Sequence, residues 1–236
     1  MFDIRRSQDR GVGEHGGWLK SRHSFSFADY VDPDRMGFSV LRVINEDRVT
    51  PGEGFATHAH RDMEIISMVL NGRIAHKDSM GNVTELPAGE VQRMSAGTGV
   101  THSEYNPSQD EPLHFLQIWI EPKQLGIEPG YEQKVIADVK DGPLSLLVSP
   151  DGREGSVSIN QDVSLYLGRL GIGDSLEHVL DPKRAYYVQV IRGDLQRQND
   201  ILSTGDALAI DAETVLALKA EAESEFLLFD LPPRKV

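Results

Sequence analysis

A chain of 236 residues without any cysteine has room for two domains of ordinary size, and it excludes disulfides, thiolate nucleophiles and cysteine-type zinc sites. The formal net charge of −13 argues against direct nucleic-acid binding, which needs a basic footprint. No apolar run is long enough to span a membrane, and the N-terminus lacks the apolar core of a signal peptide, so a cytoplasmic location is expected.

The first half of the chain is predicted to form short strands separated by tight turns. Residues 63–70 and 73–78 flank Asn71-Gly72, a pair that favours a hairpin on a type I′ turn. A further strand is predicted at 83–86, and another at 113–120, where nearly every residue is apolar and both faces are expected to be buried. Short strands with such turns indicate an all-β fold of the jelly-roll type.

The second half repeats the first faintly. Residues 67–74 (SMVLNGRI) are matched by 188–195 (VQVIRGDL), and residues 86–91 (LPAGEV) are matched by 202–207 (LSTGDA). The order and near-equal separation of the two pairs favour duplication of one barrel. The fold prediction is therefore two jelly-roll β-barrels in tandem.

The junction between the barrels is predicted in residues 121–134, which are rich in proline and glycine. We place the boundary near Tyr131, within several residues. This divides the chain into an N-terminal domain, 1–130, and a C-terminal domain, 131–236.

Two short motifs in the first half carry the chemistry. His58 and His60 are two apart, so on an extended chain both imidazoles point to the same side. His102 and Glu104 repeat this spacing with a carboxylate. Three imidazoles and one carboxylate suit a divalent transition metal such as Fe, Mn, Ni, Cu or Zn, and four protein ligands leave one or two coordination positions open.

The neighbouring residues resemble the two cupin motifs. Gly52 lies six residues before the histidine pair, and Glu64 lies four residues after it, as in the first motif. The segment GTGVTH, which ends at His102 and is followed by Asn106, resembles the second motif, PxGxxHxxxN. Gly97 stands in its proline place.

The closer resemblance is to the pirin family of two-domain cupins, or bicupins, and it covers nearly the whole first half. Ala59 stands where pirins commonly carry proline, which leaves the neighbouring histidines intact. The segments that look like that family are 17–30, 41–49, 51–65, 89–106 and 116–122.

The resemblance implies a metal site in the N-terminal barrel with His58, His60, His102 and Glu104 as ligands. Fe(II) is the expected ion, with Zn, Mn, Ni, Cu and Co as alternatives. Glu64 is expected just outside the ligands, where it would orient an imidazole, because its parity matches that of His60 on an unbroken strand. It would replace Glu104 as the carboxylate ligand if Glu104 were not bound.

The second barrel is predicted to be metal-free. Aligning the glycines of the repeat puts Val179, Asp181 and Ala185 at the places of the histidine pair and of the glutamate after it, and puts Leu218 at the place of His102. His178 is expected on the surface or in the core.

The resemblance implies quercetin 2,3-dioxygenase activity on a flavonol-like, enolisable aromatic with O₂ as co-substrate, with Glu104 also acting as a base for the substrate hydroxyl. The alternative is a metal- or redox-sensing regulatory protein that acts through protein partners. A sugar-phosphate isomerase is a third reading, without a visible phosphate-binding cluster. A monomer is expected. Structural roles are expected for the remaining candidates, which are His23, His76, His114, Asp47, Trp18, Phe25, Phe27 and Trp119.

Overall fold

The computed structural model describes residues 1–136 and 143–234. Within them the chain is built almost wholly of antiparallel strands, with two short 3₁₀ turns at Ser7–Asp9 and Arg153–Gly155, and no helix is long and apolar enough to cross a membrane. The strands are β1 (Phe2–Arg5), β2 (Gly11–His15), β3 (Leu19–His23), β4 (Leu41–Val49), β5 (Gly54–His60), β6 (Glu64–Asn71), β7 (Arg73–Asp78), β8 (Val83–Pro87), β9 (Glu90–Ser95), β10 (Val100–Tyr105), β11 (Leu113–Ile120), β12 (Gly130–Val135), β13 (Leu144–Ser149), β14 (Val157–Ser158), β15 (Ser164–Leu170), β16 (Ser175–Val179), β17 (Ala185–Arg192), β18 (Asp194–Arg197), β19 (Asp200–Ser203), β20 (Ala207–Asp211), β21 (Val215–Ala220) and β22 (Ser224–Leu231).

The described residues divide into two compact units. The N-terminal unit contains residues 11–136 and 150–161, and the C-terminal unit contains residues 1–10, 143–149 and 162–234. In the N-terminal unit one sheet has the order β12-β9-β6-β11-β4-β3-β2, and a second has the order β5-β10-β7-β8. The C-terminal unit has a sheet that includes β1-β20-β17-β22-β15-β13, and another with the order β16-β21-β18-β19.

The strand orders confirm the internal repeat. β6 and β17 are each followed by a glycine with a positive φ, Gly72 at 81° and Gly193 at 86°, a conformation that favours glycine. Gly89 and Gly205 correspond in the same way, at 88° and 84°. Each repeated segment therefore forms the same strand-turn-strand element in its own unit.

The two units are not contiguous in sequence: residues 150–161 belong to the N-terminal unit, and β1 belongs to the C-terminal unit. It pairs with β20, which is the position that β12 occupies beside β9 in the N-terminal unit. Sequence repeats locate the strands but do not reveal this use of the first residues. The linear division at 130/131 remains a prediction of where the two repeats join.

The hairpin predicted at Asn71-Gly72 is wrong, although both strands form where expected. β6 pairs with β9 and β11, whereas β7 pairs with β8 and β10. Of the two turn residues only Gly72 has a positive φ, so the turn is not type I′, which needs two. The chain passes from one sheet to the other at this glycine.

The interior of the N-terminal unit contains a polar layer between two hydrophobic clusters. Ile65 belongs to one cluster and Val69 to the other, and Ser67 lies between them on the same face of β6. Gln117 of β11 is the register partner of Ser67 and is also buried. Since buried polar groups need hydrogen-bond partners, this layer is where a functional site is expected.

Candidate metal centre

Three imidazoles converge at the edge of the polar layer. β5 carries His58 and His60, and the neighbouring strand β10 carries His102 directly opposite His58. The Nε2 atom of His102 lies 3.0 Å from Nε2 of His58 and 3.1 Å from Nε2 of His60. The structure thus brings together all three histidines that the sequence predicted as ligands.

A β-bulge on β5 lies next to the histidine cluster. His102 pairs with His58, but Glu104, two residues further along β10, pairs with Phe55, three residues back along β5. Phe55 packs against the hydrophobic interior, and residues three apart on a regular strand point to opposite faces. The extra residue lets both Phe55 and His58 point inward, as bulges next to functional sites often do.

The surroundings of the three ring systems suit a metal ion. Nδ1 of His58 lies 2.8 Å from the carbonyl oxygen of Ala56; because a carbonyl only accepts, Nδ1 carries the proton and Nε2 presents its lone pair to the cluster. Burial, and then the neighbouring His58, lowers the pKa of His60 to about 4. Burial, and then the two histidines of β5, lowers the pKa of His102 to about 3. Neutral imidazoles are the form that binds metals, so the residues present fit a metal ion.

Glu104 is buried in the polar layer, next to His102 on the same face of β10. Its carboxylate accepts hydrogen bonds from the Ser67 hydroxyl at 3.3 Å and from the Gln117 amide at 2.9 Å. The pKa of Glu104 is raised to about 7: burial is the main cause and the nearby Asp47 adds to it, while the two hydrogen bonds oppose the change. The sequence did not predict Ser67 and Gln117 as site residues. The feature that could have identified them is a polar residue on the inward side of an otherwise apolar strand.

His76 is closer to the centre than the sequence predicted. Candidate ligand atoms of His76, His102 and Glu104 all lie within 4.8 Å of one another, and the same holds for His58, His60 and His102. The two groups share His102. A four-ligand set made of the three converging histidines and Glu104 remains a prediction.

Glu64 has a different environment from the one expected. Its carboxylate accepts a hydrogen bond from the Ser95 hydroxyl at 2.8 Å and one from the backbone N–H of Asn160 at 3.3 Å, and neither partner is an imidazole. Burial raises the pKa of Glu64 against these hydrogen bonds and the charge of Arg93. The parity argument fails because the strand is broken: β5 ends at His60, and residue 62 has a φ of 49° before β6 begins.

A cavity of about 460 Å³ opens beside the histidine cluster, within the size range of small-molecule sites. Trp18, Phe27 and Trp119 line it, together with His58 and His60. These three aromatics therefore belong to the cavity wall rather than to the core alone, contrary to expectation. Of the four aromatics considered, Phe25 is the one that is buried and does not line the cavity.

Trp119 connects the aromatic wall to the metal centre. Its ring centroid lies 5.0 Å from that of His60 and 5.3 Å from that of Phe27, both in edge-to-face geometry. Its indole N–H donates to the Gln117 side-chain oxygen at 3.2 Å. The aromatic surface is thus continuous with the polar layer that holds Glu104.

Polar side chains also line the cavity. A structural role was expected for Asp47. It is buried and lines the cavity, and its carboxylate accepts a hydrogen bond from the Ser21 hydroxyl. His23 also lines it, and its Nδ1–H donates to Asn45 Oδ1 at 2.7 Å. The cavity therefore offers both aromatic and hydrogen-bonding groups to a guest.

Gly97 explains the departure from the second cupin motif. Its φ is 46°, and a Cβ atom at this position would lie 2.1 Å from the carbonyl oxygen of Ile127. Proline has a φ near −65°, so the residue of the usual motif cannot occupy this turn.

At the positions equivalent to His58 and His102, the C-terminal unit has leucines of its hydrophobic core. Leu218 of β21 pairs with Leu176 of β16, as His102 pairs with His58, and both leucines belong to the core cluster. His178 takes the place of His60 by the same register, so the residues Val179 and Asp181 suggested by the sequence alignment are offset from the true equivalents.

Two antiparallel units related by an internal repeat, with a histidine cluster in the first, define a metal-binding bicupin. The family model described as Pirin matches residues 4–120, and the model described as Quercetinase C-terminal cupin domain matches residues 146–231. The chain belongs to the pirin family, as the resemblance implied.

Full-length relatives support this membership. A protein of Escherichia coli strain K12 named quercetin 2,3-dioxygenase is 49% identical over 233 residues, which cover 99% of this chain and 100% of the relative. The crystal structure of YhhW from Escherichia coli matches with a TM-score of 0.95 at 48% identity and covers 100% of both chains. A structure of the bacterial pirin YhhW in complex with nickel(II) matches with a TM-score of 0.94 at 48% identity, covering 99% of this chain and 100% of that one. Together with the histidine cluster, the nickel complex supports a divalent metal as the cofactor.

Proposed function

We propose that this chain is a metal-dependent dioxygenase that cleaves a flavonol-like, enolisable aromatic of the quercetin type with O₂. The observation that carries the proposal is the convergence of three imidazoles beside an aromatic-lined cavity of about 460 Å³. The names of the full-length relatives support the same reaction class.

The proposed ligands are His58, His60, His102 and Glu104, and the proposed native ion is Fe(II). Nitrogen and oxygen donors suit Fe(II), and also Zn, Mn, Ni, Cu and Co, so the ligand types do not select one ion by themselves. When bound, the ion supplies Lewis acidity and redox chemistry for an enolate and for dioxygen. Because a related structure contains nickel(II), Ni(II) is the first ion to compare with Fe(II) in the activity test.

The side chains of the cavity have separate tasks in this proposal. Trp18, Phe27 and Trp119 stack against the rings of the substrate and keep water away from the centre. Glu104 takes the proton of the substrate's hydroxyl group. In the metal-free protein, burial already raises the pKa of this carboxyl group to about 7, toward the range that suits a general base. Gln117 and Ser67 position the carboxylate through their hydrogen bonds, which weaken when Glu104 takes up the proton.

The regulatory alternative is not favoured. Relatives that match over the whole chain carry the dioxygenase name, and the cluster borders a cavity suited to a small molecule rather than only an exposed surface. A monomeric state and a cytoplasmic location stay predictions from the sequence.

The test is turnover by the reconstituted protein. Metal-stripped protein is loaded anaerobically with Fe(II), Ni(II), Mn(II) or Cu(II), mixed with quercetin and exposed to O₂, and loss of flavonol absorbance is measured together with carbon monoxide release. We expect both signals to depend on the metal, to disappear in His102→Ala and to persist in His178→Ala. Absence of metal-dependent turnover with every ion, or equal behaviour of the two variants, would contradict the proposal.

A further inference from the structure

Two buried ring nitrogens behind the metal centre lack hydrogen-bond partners among the described residues. They are Nδ1 of His102 and Nδ1 of His76. Each side chain is only 1% exposed, and the ring centroids are 5.4 Å apart at an interplanar angle of 56°. An unsatisfied buried polar group costs about 1–3 kcal/mol, so two of them side by side call for a physical explanation.

The proton on His76 is located by its other nitrogen. Nε2 of His76 lies 3.1 Å from Oδ2 of Asp78. That carboxylate also receives the backbone N–H groups of Met80 and Asn82 and the side-chain amide of Asn82, at 2.8–3.0 Å. A carboxylate surrounded by donors acts as an acceptor, so Nε2 of His76 carries the proton and its Nδ1 is left as an acceptor without a donor.

The proton on His102 follows from the cluster that it faces. Nε2 of His102 lies beside the Nε2 atoms of His58 and His60, and a ligating Nε2 uses its lone pair for the metal. The proton of the neutral ring then sits on Nδ1, which becomes a donor without an acceptor. The two unpartnered nitrogens are complementary.

We propose that His76 is a positioning residue, whose Nδ1 accepts a hydrogen bond from His102 Nδ1–H, directly or through one water molecule. Asp78 then fixes His76, and His76 fixes the orientation of His102 toward the metal. Metal-bound histidines generally need such an outer acceptor, and its loss weakens metal binding by about 10- to 100-fold. The inference rests on the proposed ligand role of His102.

The strand register supports His76 as the acceptor. β7 pairs with β10 so that Asp78 lies opposite His102 and His76 lies opposite Glu104, which puts all four side chains on one face. Glu104 is the competing acceptor, but its Oε1 already receives the Ser67 hydroxyl and its Oε2 receives the Gln117 amide. Nδ1 of His76, by contrast, receives no hydrogen bond from the described residues, which makes it the favoured acceptor.

Two substitutions of His76 separate the acceptor from the Asp78 contact. Asparagine places a side-chain oxygen near the former Nδ1 and loses the reach to Asp78. Glutamine keeps an N–H donor near the former Nε2 and loses the acceptor. The assay is Ni(II) binding to metal-stripped, full-length protein by isothermal titration calorimetry, with thermal unfolding of each metal-free variant measured in parallel.

The proposal predicts that His76→Gln weakens Ni(II) binding about 10- to 100-fold, whereas His76→Asn retains most of the affinity. The matched controls are His114→Gln and His114→Asn, because His114 also pairs through Nε2 with a carboxylate, that of Glu46 at 2.9 Å, and they should leave the affinity unchanged. Both His76 variants are expected to unfold at lower temperature, so the split in affinity is the signal that a merely structural role would not produce.

The reverse order, with affinity kept in His76→Gln and lost in His76→Asn, would overturn the proposal in favour of a purely structural His76–Asp78 pair. Equal affinities in both variants would overturn it as well. His102→Ala distinguishes this failure from failure of the ligand assignment, since Ni(II) binding that survives in His102→Ala refutes both.

Discussion

Glu104 is the buried carboxyl group whose ionisation should control the stability of the metal-free protein. Its side chain is 2% exposed, and burial is the main cause that raises its pKa from 4.5 to about 7. The perturbation is Glu104→Gln, which keeps the shape, can still accept from Gln117 and donate to Ser67, and cannot ionise.

The direction of the pH effect follows from the raised pKa. The folded protein holds the proton up to about pH 7, while the unfolded chain releases it above about pH 4.5, so this contribution to stability is complete below pH 4.5 and is lost as the pH rises through 7. Each pKa unit corresponds to about 1.4 kcal/mol, which makes the full loss roughly 3 kcal/mol. The glutamine variant does not suffer it.

The assay is urea unfolding of both proteins with a chelator present. Between pH 5.5 and 8.5 the variant should gain about 2 kcal/mol in free energy of unfolding relative to the natural chain. Comparing two proteins that differ in one group cancels the contributions of the other titrating residues. If the free energy of unfolding of the two proteins changed in parallel with pH, Glu104 would not be an uncharged buried group. The argument that Glu104 acts as a base would then be refuted.

Three further changes test the site and its support. His58→Ala should reduce Ni(II) affinity by at least 100-fold in calorimetry, because one of three converging nitrogens is lost, whereas His178→Ala should bind as the natural protein does. Trp119→Ala should raise KM for quercetin about 3- to 10-fold, as aromatic pairs contribute about 0.5–1.5 kcal/mol, and an unchanged KM would remove this side chain from the substrate wall. Gly97→Ala should lower the free energy of unfolding by about 2–3 kcal/mol, since it combines a φ of 46° with a Cβ atom 2.1 Å from a backbone oxygen. Gly81→Ala, where φ is also positive but no atom lies within 4 Å, should cost only about 1 kcal/mol in the same urea titration.

Local patterns in the sequence were sufficient to predict the strands and the three imidazoles. The apolar run at 113–120 is β11, with the bounds expected, and the alternation of side chains placed His58 and His60 on one side. Parity works for these residues because each motif lies within one unbroken strand. It failed for Glu64, since the turn after β5 resets the alternation.

Features that depend on partners distant in sequence could not be predicted in the same way. β6 and β7 flank the Asn71-Gly72 turn as predicted. Their pairing partners lie in two different sheets, because packing between the sheets and not the turn determines the pairing. Asp47 and Trp18 reach the cavity from β4 and from the turn before β3, segments that resemble the pirin family but carry no metal-ligand motif. His76 was assigned a structural role because its pairing with Glu104 across β7 and β10 is a property of the register.

The central claim is that one metal ion is held by three imidazoles and Glu104 beside the aromatic cavity. The most direct measurement is a crystal structure of the metal-loaded protein with anomalous difference maps collected on both sides of the absorption edge of the metal. The account predicts one peak per chain, about 2.0–2.2 Å from Nε2 of His58, His60 and His102 and from one oxygen of Glu104. A peak at another place, or imidazoles that point away from one another around no ion, would contradict it.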